Sequence, residues 1–166
     1  MAQQWGKLGV KLNVLAGDSG SRVADSLDPE KTAVAPAMVG RGVTGAFIAN
    51  SGVGKIGMPA EYSAGVQQMA ASGIPALAKL PSDKFGTWLG YAETGVGAAL
   101  LAPFVPNKLA GAALTAFSGG LLTMYFRNPE NTEADGIRPS QEGIGLAKDV
   151  FMTAIGLALV AQGKRN

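Results

Sequence analysis

Cysteine and histidine are both absent from the 166 residues, and charge is scarce: Asp, Glu, Lys and Arg make up 16% of the chain and leave a net +2. Without cysteine there is no disulfide, no thiolate metal site and no cysteine nucleophile. Without histidine there is no imidazole ligand for haem or zinc, and the commonest general base is missing. A net charge of +2, with no basic block interleaved with aromatics, argues against a nucleic-acid partner. So low a charge is also unusual for a water-soluble domain of this length. What the chain has in quantity is apolar or small, with 47% hydrophobic residues and 24 glycines.

Four apolar stretches carry most of that content, at about residues 36–57, 84–102, 109–126 and 144–163. Each holds roughly 20 residues, which at ~1.5 Å per residue approaches the ~30 Å hydrocarbon core of a bilayer. A soluble bundle would place charges at helical spacing opposite each apolar stripe. Between Phe85 and Ala102 the only charge is Glu93, and between Leu109 and Phe126 there is none. The expected fold is therefore all-α: an integral membrane four-helix bundle over residues 36–166, preceded by an N-terminal segment, 1–35. In that segment Trp5, Leu8, Leu12 and Leu15 share one helical face beside Lys7 and Lys11, the pattern of an amphipathic helix lying on a membrane surface. A polar linker follows it.

Small residues explain the moderate hydropathy, because close backbone approach replaces the hydrophobic effect as the packing force between helices in lipid. Gly45 with Ala49, and Thr115 with Gly119 and Gly111, are spaced for such contacts. Between the first two stretches, Tyr62, Val66, Met69 and Ala70 share a face, which predicts a short amphipathic helix ended by Gly73 and Pro75. The segment "RNPENTEADGIRPSQEG" reads as a polar loop, rich in turn formers and open to a partner. An even number of spans puts both termini on one side, and the slight excess of Lys and Arg there makes that side cytoplasmic.

Glu93 sits at the middle of its stretch, where a carboxylate costs about 2.5 to 3.5 kcal/mol on insertion scales. It is expected to face the bundle, and to be paired, hydrogen-bonded or protonated. Counted along the helices, Arg41 and the Lys148–Asp149 pair each lie roughly 7 to 9 Å from it in depth, so both pairings are open. Adjacent residues point in different directions on a helix, so at most one of Lys148 and Asp149 faces Glu93 squarely. Thr115, Ser118, Asn50, Ser51 and Thr153 are neutral groups at similar depth. Lys55, like Arg41, reads first as an interfacial anchor. Arg41, Lys55, Glu93, Lys148 and Asp149 together form the candidate intramembrane polar cluster; no catalytic residue and no metal site is assigned.

In order along the chain, "VGRGVTGAFIANSGVGKIGMP", "LGYAETGVGAALLAP", "GIRPSQEG" and "AKDVFMTAIGLALV" resemble the corresponding stretches of the DoxX family, from about residue 37 to the C-terminus. The first 36 residues exceed the family's usual start, and "IANSG" is more polar than in many of its members. The resemblance implies a multi-pass four-helix bundle in the bacterial plasma membrane, associated with membrane redox or respiratory assemblies. Two functions follow as expectations. One is an accessory subunit, without a redox centre or cofactor of its own, that docks to or stabilises other membrane subunits. The other is a small quinone-linked oxidoreductase subunit in which Glu93 exchanges protons and Arg41 or Lys148 steadies an anionic substrate. A quinone or a lipid is the ligand class for such a polar pocket.

Overall fold

The computed structural model describes residues 29–162, with side-chain surroundings from Met38 onward. The surface helix expected at the N-terminus lies outside the described residues. Within them the chain is helical with no strand; a single β-bridge joins Thr132 to Pro139. Helix α1 spans Pro29–Val53, α2 Ala60–Gly73, α3 Ser82–Leu101 and α4 Asn107–Arg127. A short α5, Ile144–Ala147, leads through Lys148 into α6, Asp149–Gln162, and 3₁₀ turns occupy Pro75–Lys79 and Pro129–Asn131.

Proline sets most of the boundaries. Pro59, Pro81 and Pro106 immediately precede α2, α3 and α4, each in an extended conformation that starts a helix without offering an N–H. Two boundaries depart from the sequence expectation. The first stretch stops being helical at Val53 rather than Gly57: Lys55 N donates to Gly52 O and Ile56 N to Val53 O, and Gly57 takes φ +76°, a left-handed conformation suited to glycine. The fourth stretch is interrupted at Lys148, so α5 and α6 replace one continuous rod.

Two helical stretches are long and apolar enough to cross a membrane, Asn107–Arg127 and Ile144–Gln162. Helices α1 and α3 have the length, but glycine and the polar side chains of Arg41 and Glu93 dilute their hydropathy.

Close packing falls where small residues meet. A Cβ on Gly52 would lie 2.5 Å from the backbone N of Thr94, and one on Gly97 would lie 2.5 Å from the N of Ala49. Helices α1 and α3 thus run against each other with Gly45 and Ala49 at the contact, as their spacing predicts. Helices α4 and α6 meet in the same way, since a Cβ on Gly111 would lie 2.6 Å from Gly156 O. Thr115 belongs to that contact as expected, whereas Gly119 has open space around it. Across the same seam Thr153 Oγ1 donates to Ser118 Oγ at 2.8 Å.

The helices carry large apolar side chains outward as well as in the core, and bury several polar and charged ones. On α1 the exposed stripe is Val39, Val43 and Phe47, with Phe47 68% exposed, while Arg41 and Thr44 are buried. On α3 the exposed positions include Trp88, Tyr91 and Leu101, while Glu93 is buried. Helix α6 exposes Val150, Phe151 and Leu157. Helix α2 forms where its pattern predicts and ends at Gly73; Tyr62 and Met69 are exposed along with Glu61 and Gln68, and the buried side chains are Ser63 and Gln67. Ser63 Oγ donates to Ser82 O and accepts from Gly86 N, and Gln67 Nε2 donates to the carbonyls of Leu77 and Leu80. These bonds tie α2 and the following 3₁₀ turn to the start of α3.

The polar loop is folded on itself and on the end of α4. Asn131 Nδ2 donates to Met124 O, and the Tyr125 hydroxyl donates to Ile137 O at 2.7 Å. The turn at its tip is closed by Asp135, whose Oδ1 accepts from the amides of Ile137 and Arg138 while Oδ2 accepts from Arg138 Nε.

Candidate functional site

Glu93 is 6% exposed, and its partner is Lys55. Lys55 Nζ stands 2.8 Å from Glu93 Oε2 and donates also to Ser51 Oγ and Ser51 O. This corrects the reading of Lys55 as an interfacial anchor. The reason is the early end of α1: the turn at 54–57 begins level with Gly90 and Thr94 of α3, which returns the lysine toward the bundle instead of extending it outward. Removing either charge alone would strand the other in a low-dielectric setting, so the pair holds α1 to α3 in one register.

Arg41 is not part of this group. It is 4% exposed and reaches the opposite end of α3, where Nε donates to Leu100 O and Nη2 to the carbonyls of Ala99, Ala102 and Val105, while Nη1 donates to Asn107 Oδ1. The last carbonyls of a helix have no intrahelical donor and carry the negative end of its dipole. A guanidinium placed there satisfies several at once and, through Asn107, also fixes the start of α4. Arg41 is therefore a buried cap at the α3–α4 turn, neither a snorkelling anchor nor a partner of Glu93.

Of the two adjacent residues on the fourth stretch, Asp149 turns inward and Lys148 is exposed. Asp149, Glu93 and Lys55 line a half-open cavity of about 460 Å³ between α2, α3, α4 and the α5–α6 segment. Its remaining wall is apolar, with Val66, Leu77, Phe85, Phe117 and Met124 among the contributors. A smaller space of about 150 Å³ on the other side of the two carboxylates is lined by Phe47, Ile48, Ser51 and Met152, and shares Phe117 and Leu121 with the first. Glu93 and Asp149 thus stand at the junction of two chambers. The neutral groups expected near Glu93 are otherwise engaged: Ser51 with Lys55, Thr115 with Gly111 O, and Ser118 with Thr153.

Sequence reasoning thus identified Glu93 as an inward group, left open both its partner and which of Lys148 and Asp149 turns toward it, and did not place α2 against this space. The signal for α2 lay in Ser63 and Gln67, whose polar side chains are buried and bonded to the carbonyls of Ser82, Leu77 and Leu80.

Among the described residues there is no group of three or more acidic side chains placed to hold a metal ion. The chemistry available at the cavity is that of two carboxylates and one ammonium: ion pairing, hydrogen-bond acceptance and proton exchange. Comparison of the chain with known protein families, with curated proteins and with solved structures finds no match.

Proposed function

We propose that this chain is an integral protein of the bacterial plasma membrane, a bundle of four spans built on α1, α3, α4 and the α5–α6 segment. In this reading it is an accessory subunit that docks to or stabilises a membrane redox assembly. The observation that carries the reading is the outward placement of large apolar side chains together with the inward placement of charged ones. Val43, Phe47, Trp88, Leu109, Phe151 and Leu157 point outward, whereas Arg41, Lys55 and Glu93 are drawn inward and hydrogen-bonded. Lipid makes the first arrangement inexpensive and the second obligatory. Gly, Ala and Thr at the seams are what packing between helices in lipid uses. The redox character of the assembly comes from the resemblance to the DoxX family. A chain with no thiolate or imidazole leaves electron transfer to its partners' centres.

The quinone-linked alternative draws less support from the geometry. It requires Arg41 or Lys148 to steady an anion beside Glu93; the first is committed to the end of α3 and the second is exposed.

The test is fractionation followed by purification in mild detergent. The chain is expected to stay with membranes through an alkaline carbonate wash, to need detergent for release, and to bring subunits of a redox complex with it. A monodisperse particle in buffer without detergent would overturn the membrane reading. Purification as a lone chain, with the redox complexes of those membranes unaltered when it is deleted, would overturn the accessory role.

A further inference from the structure

The cavity between α2, α3, α4 and α6 has a polar wall whose hydrogen-bonding character is one-sided. The three N–H bonds of the Lys55 ammonium have three acceptors in place, Ser51 O, Ser51 Oγ and Glu93 Oε2. Among the described residues no other cationic side chain lines the space. What remains for an occupant is acceptor capacity: the second oxygen of Glu93 and the carboxylate of Asp149, to which no described side chain donates. Among the described residues this wall carries two carboxyl groups against one ammonium, in surroundings that penalise an unpaired charge and so favour a cationic occupant. Phe85 and Phe117 line the same space, and aromatic side chains are compatible neighbours for a cation. The volume of about 460 Å³ lies in the ordinary range for a small organic ligand.

We propose that this cavity is a binding site for a small organic cation, a protonated amine on an apolar body, with the amine at Asp149 and the open oxygen of Glu93 and the body between α2 and α4. The ammonium supplies the missing donors and the missing charge, and the apolar part covers Val66, Leu77 and Met124. A neutral acceptor such as a carbonyl, or an anion, finds no free donor on this wall. The site depends on the folded bundle and not on any redox partner, so it stands or falls separately from the accessory role.

The experiment is titration calorimetry on the full chain in mild non-ionic detergent, with three probes of one shape: phenylbutylamine, phenylbutanol and phenylbutyrate. The amine is expected to bind saturably, at least about tenfold more tightly than the alcohol, and the carboxylate to show no binding; a charged, desolvated contact is worth at least that factor. Asp149→Asn is expected to remove the preference of amine over alcohol while leaving alcohol binding in place. Equal binding of amine and alcohol by the unaltered chain would overturn the proposal, leaving a space filled by any apolar chain, such as a lipid tail. Preferential binding of the carboxylate, or an undiminished amine preference in the Asp149→Asn variant, would overturn it equally. Should Asp149→Asn fail to fold, judged by circular dichroism, the three-probe comparison on the unaltered chain decides alone.

Discussion

Lys55 and Glu93, 38 positions apart in sequence, form an ion pair 2.8 Å long in which the carboxylate is the more deeply buried partner, with 7% of its side chain accessible against 24% for the lysine. That asymmetry orders the consequences of breaking it. Lys55→Met strands the better buried charge and is expected to cost about 3 kcal/mol or more. Glu93→Leu leaves an ammonium that keeps its bonds to Ser51 and is expected to cost less. The double variant, which removes both charges, should recover to within about 1 kcal/mol of the unaltered protein, since desolvation of the pair offsets most of its attraction. Thermal unfolding in one detergent reads all three; a double variant as unstable as the sum of the singles would contradict the pairing.

Arg41 supports a different kind of prediction, because its role depends on geometry more than on charge. Four backbone carbonyls, those of Ala99, Leu100, Ala102 and Val105, accept from one guanidinium. Lysine offers a single nitrogen and lacks the fork that spans them. Arg41→Lys is therefore expected to lose about 3 kcal/mol, close to the loss for Arg41→Met, because either leaves buried carbonyls without donors. A lysine variant of unaltered stability would show that positive charge at the helix end suffices.

The existence of the helices was legible in the chain because proline and composition mark them: Pro81, Pro103 and Pro106 bracket α3 and open α4, and the charge-free run from Leu109 to Phe126 reads as a helix by length alone. The inward position of Glu93 was legible for the same reason, since an acid among apolar residues has few other solutions. Its partner was not. Counting depth along a straight helix to Gly57 carries Lys55 to the interface, and only the turn begun at Val53, closed with Gly57 at positive φ, brings it back. Arg41 was misplaced because depth says nothing about direction; the Gly45–Ala49 seam against Gly97 and Leu100 points it at the end of α3. On α2 the shared face of Tyr62, Val66, Met69 and Ala70 predicted the helix but not which of its sides is buried. Where the outside is itself apolar, the inner face is marked by Ser63 and Gln67, which need partners that only the protein supplies.

Glycine provides a matched comparison that separates packing from helix propensity. At Gly52 and Gly111 an added Cβ would come within 2.6 Å of a backbone atom of the facing helix, and at Gly156 it would lie 2.4 Å from Thr115 Oγ1 and 2.9 Å from Gly111 O, so Ala there forces the helices apart. Gly95 and Gly119 have open space in the same direction. Gly→Ala at the first three is expected to destabilise by about 1 to 3 kcal/mol. At Gly95 and Gly119 the sign reverses, and Ala stabilises by about 0.5 to 1 kcal/mol because it loses less conformational freedom in a helix. Unfolding midpoints of the five single variants check this, and a uniform effect across all five would refute the placement of the seams.

Asp135 makes the loop after α4 sensitive to acid and to little else. The Arg138 side chain, and then the amides of Ile137 and Arg138, hold its carboxyl down at about 2, against 3.8 for an unperturbed aspartate. A carboxylate with a depressed folded-state value contributes its stabilisation in full above the unfolded value and loses it as pH falls through the folded one. The turn at 135–138 is therefore expected to hold unchanged from pH 7 down to about 5, to weaken as the pH drops below about 4, and to open near 2. Exchange protection of the Ile137 and Arg138 amides reports this directly. Asp135→Asn keeps an acceptor for those amides but has no charge to lose, so its exchange should be flat across the same interval. Protection that already falls between pH 7 and 5, or an Asn variant with the same acid dependence, would assign the closure of this turn to other groups.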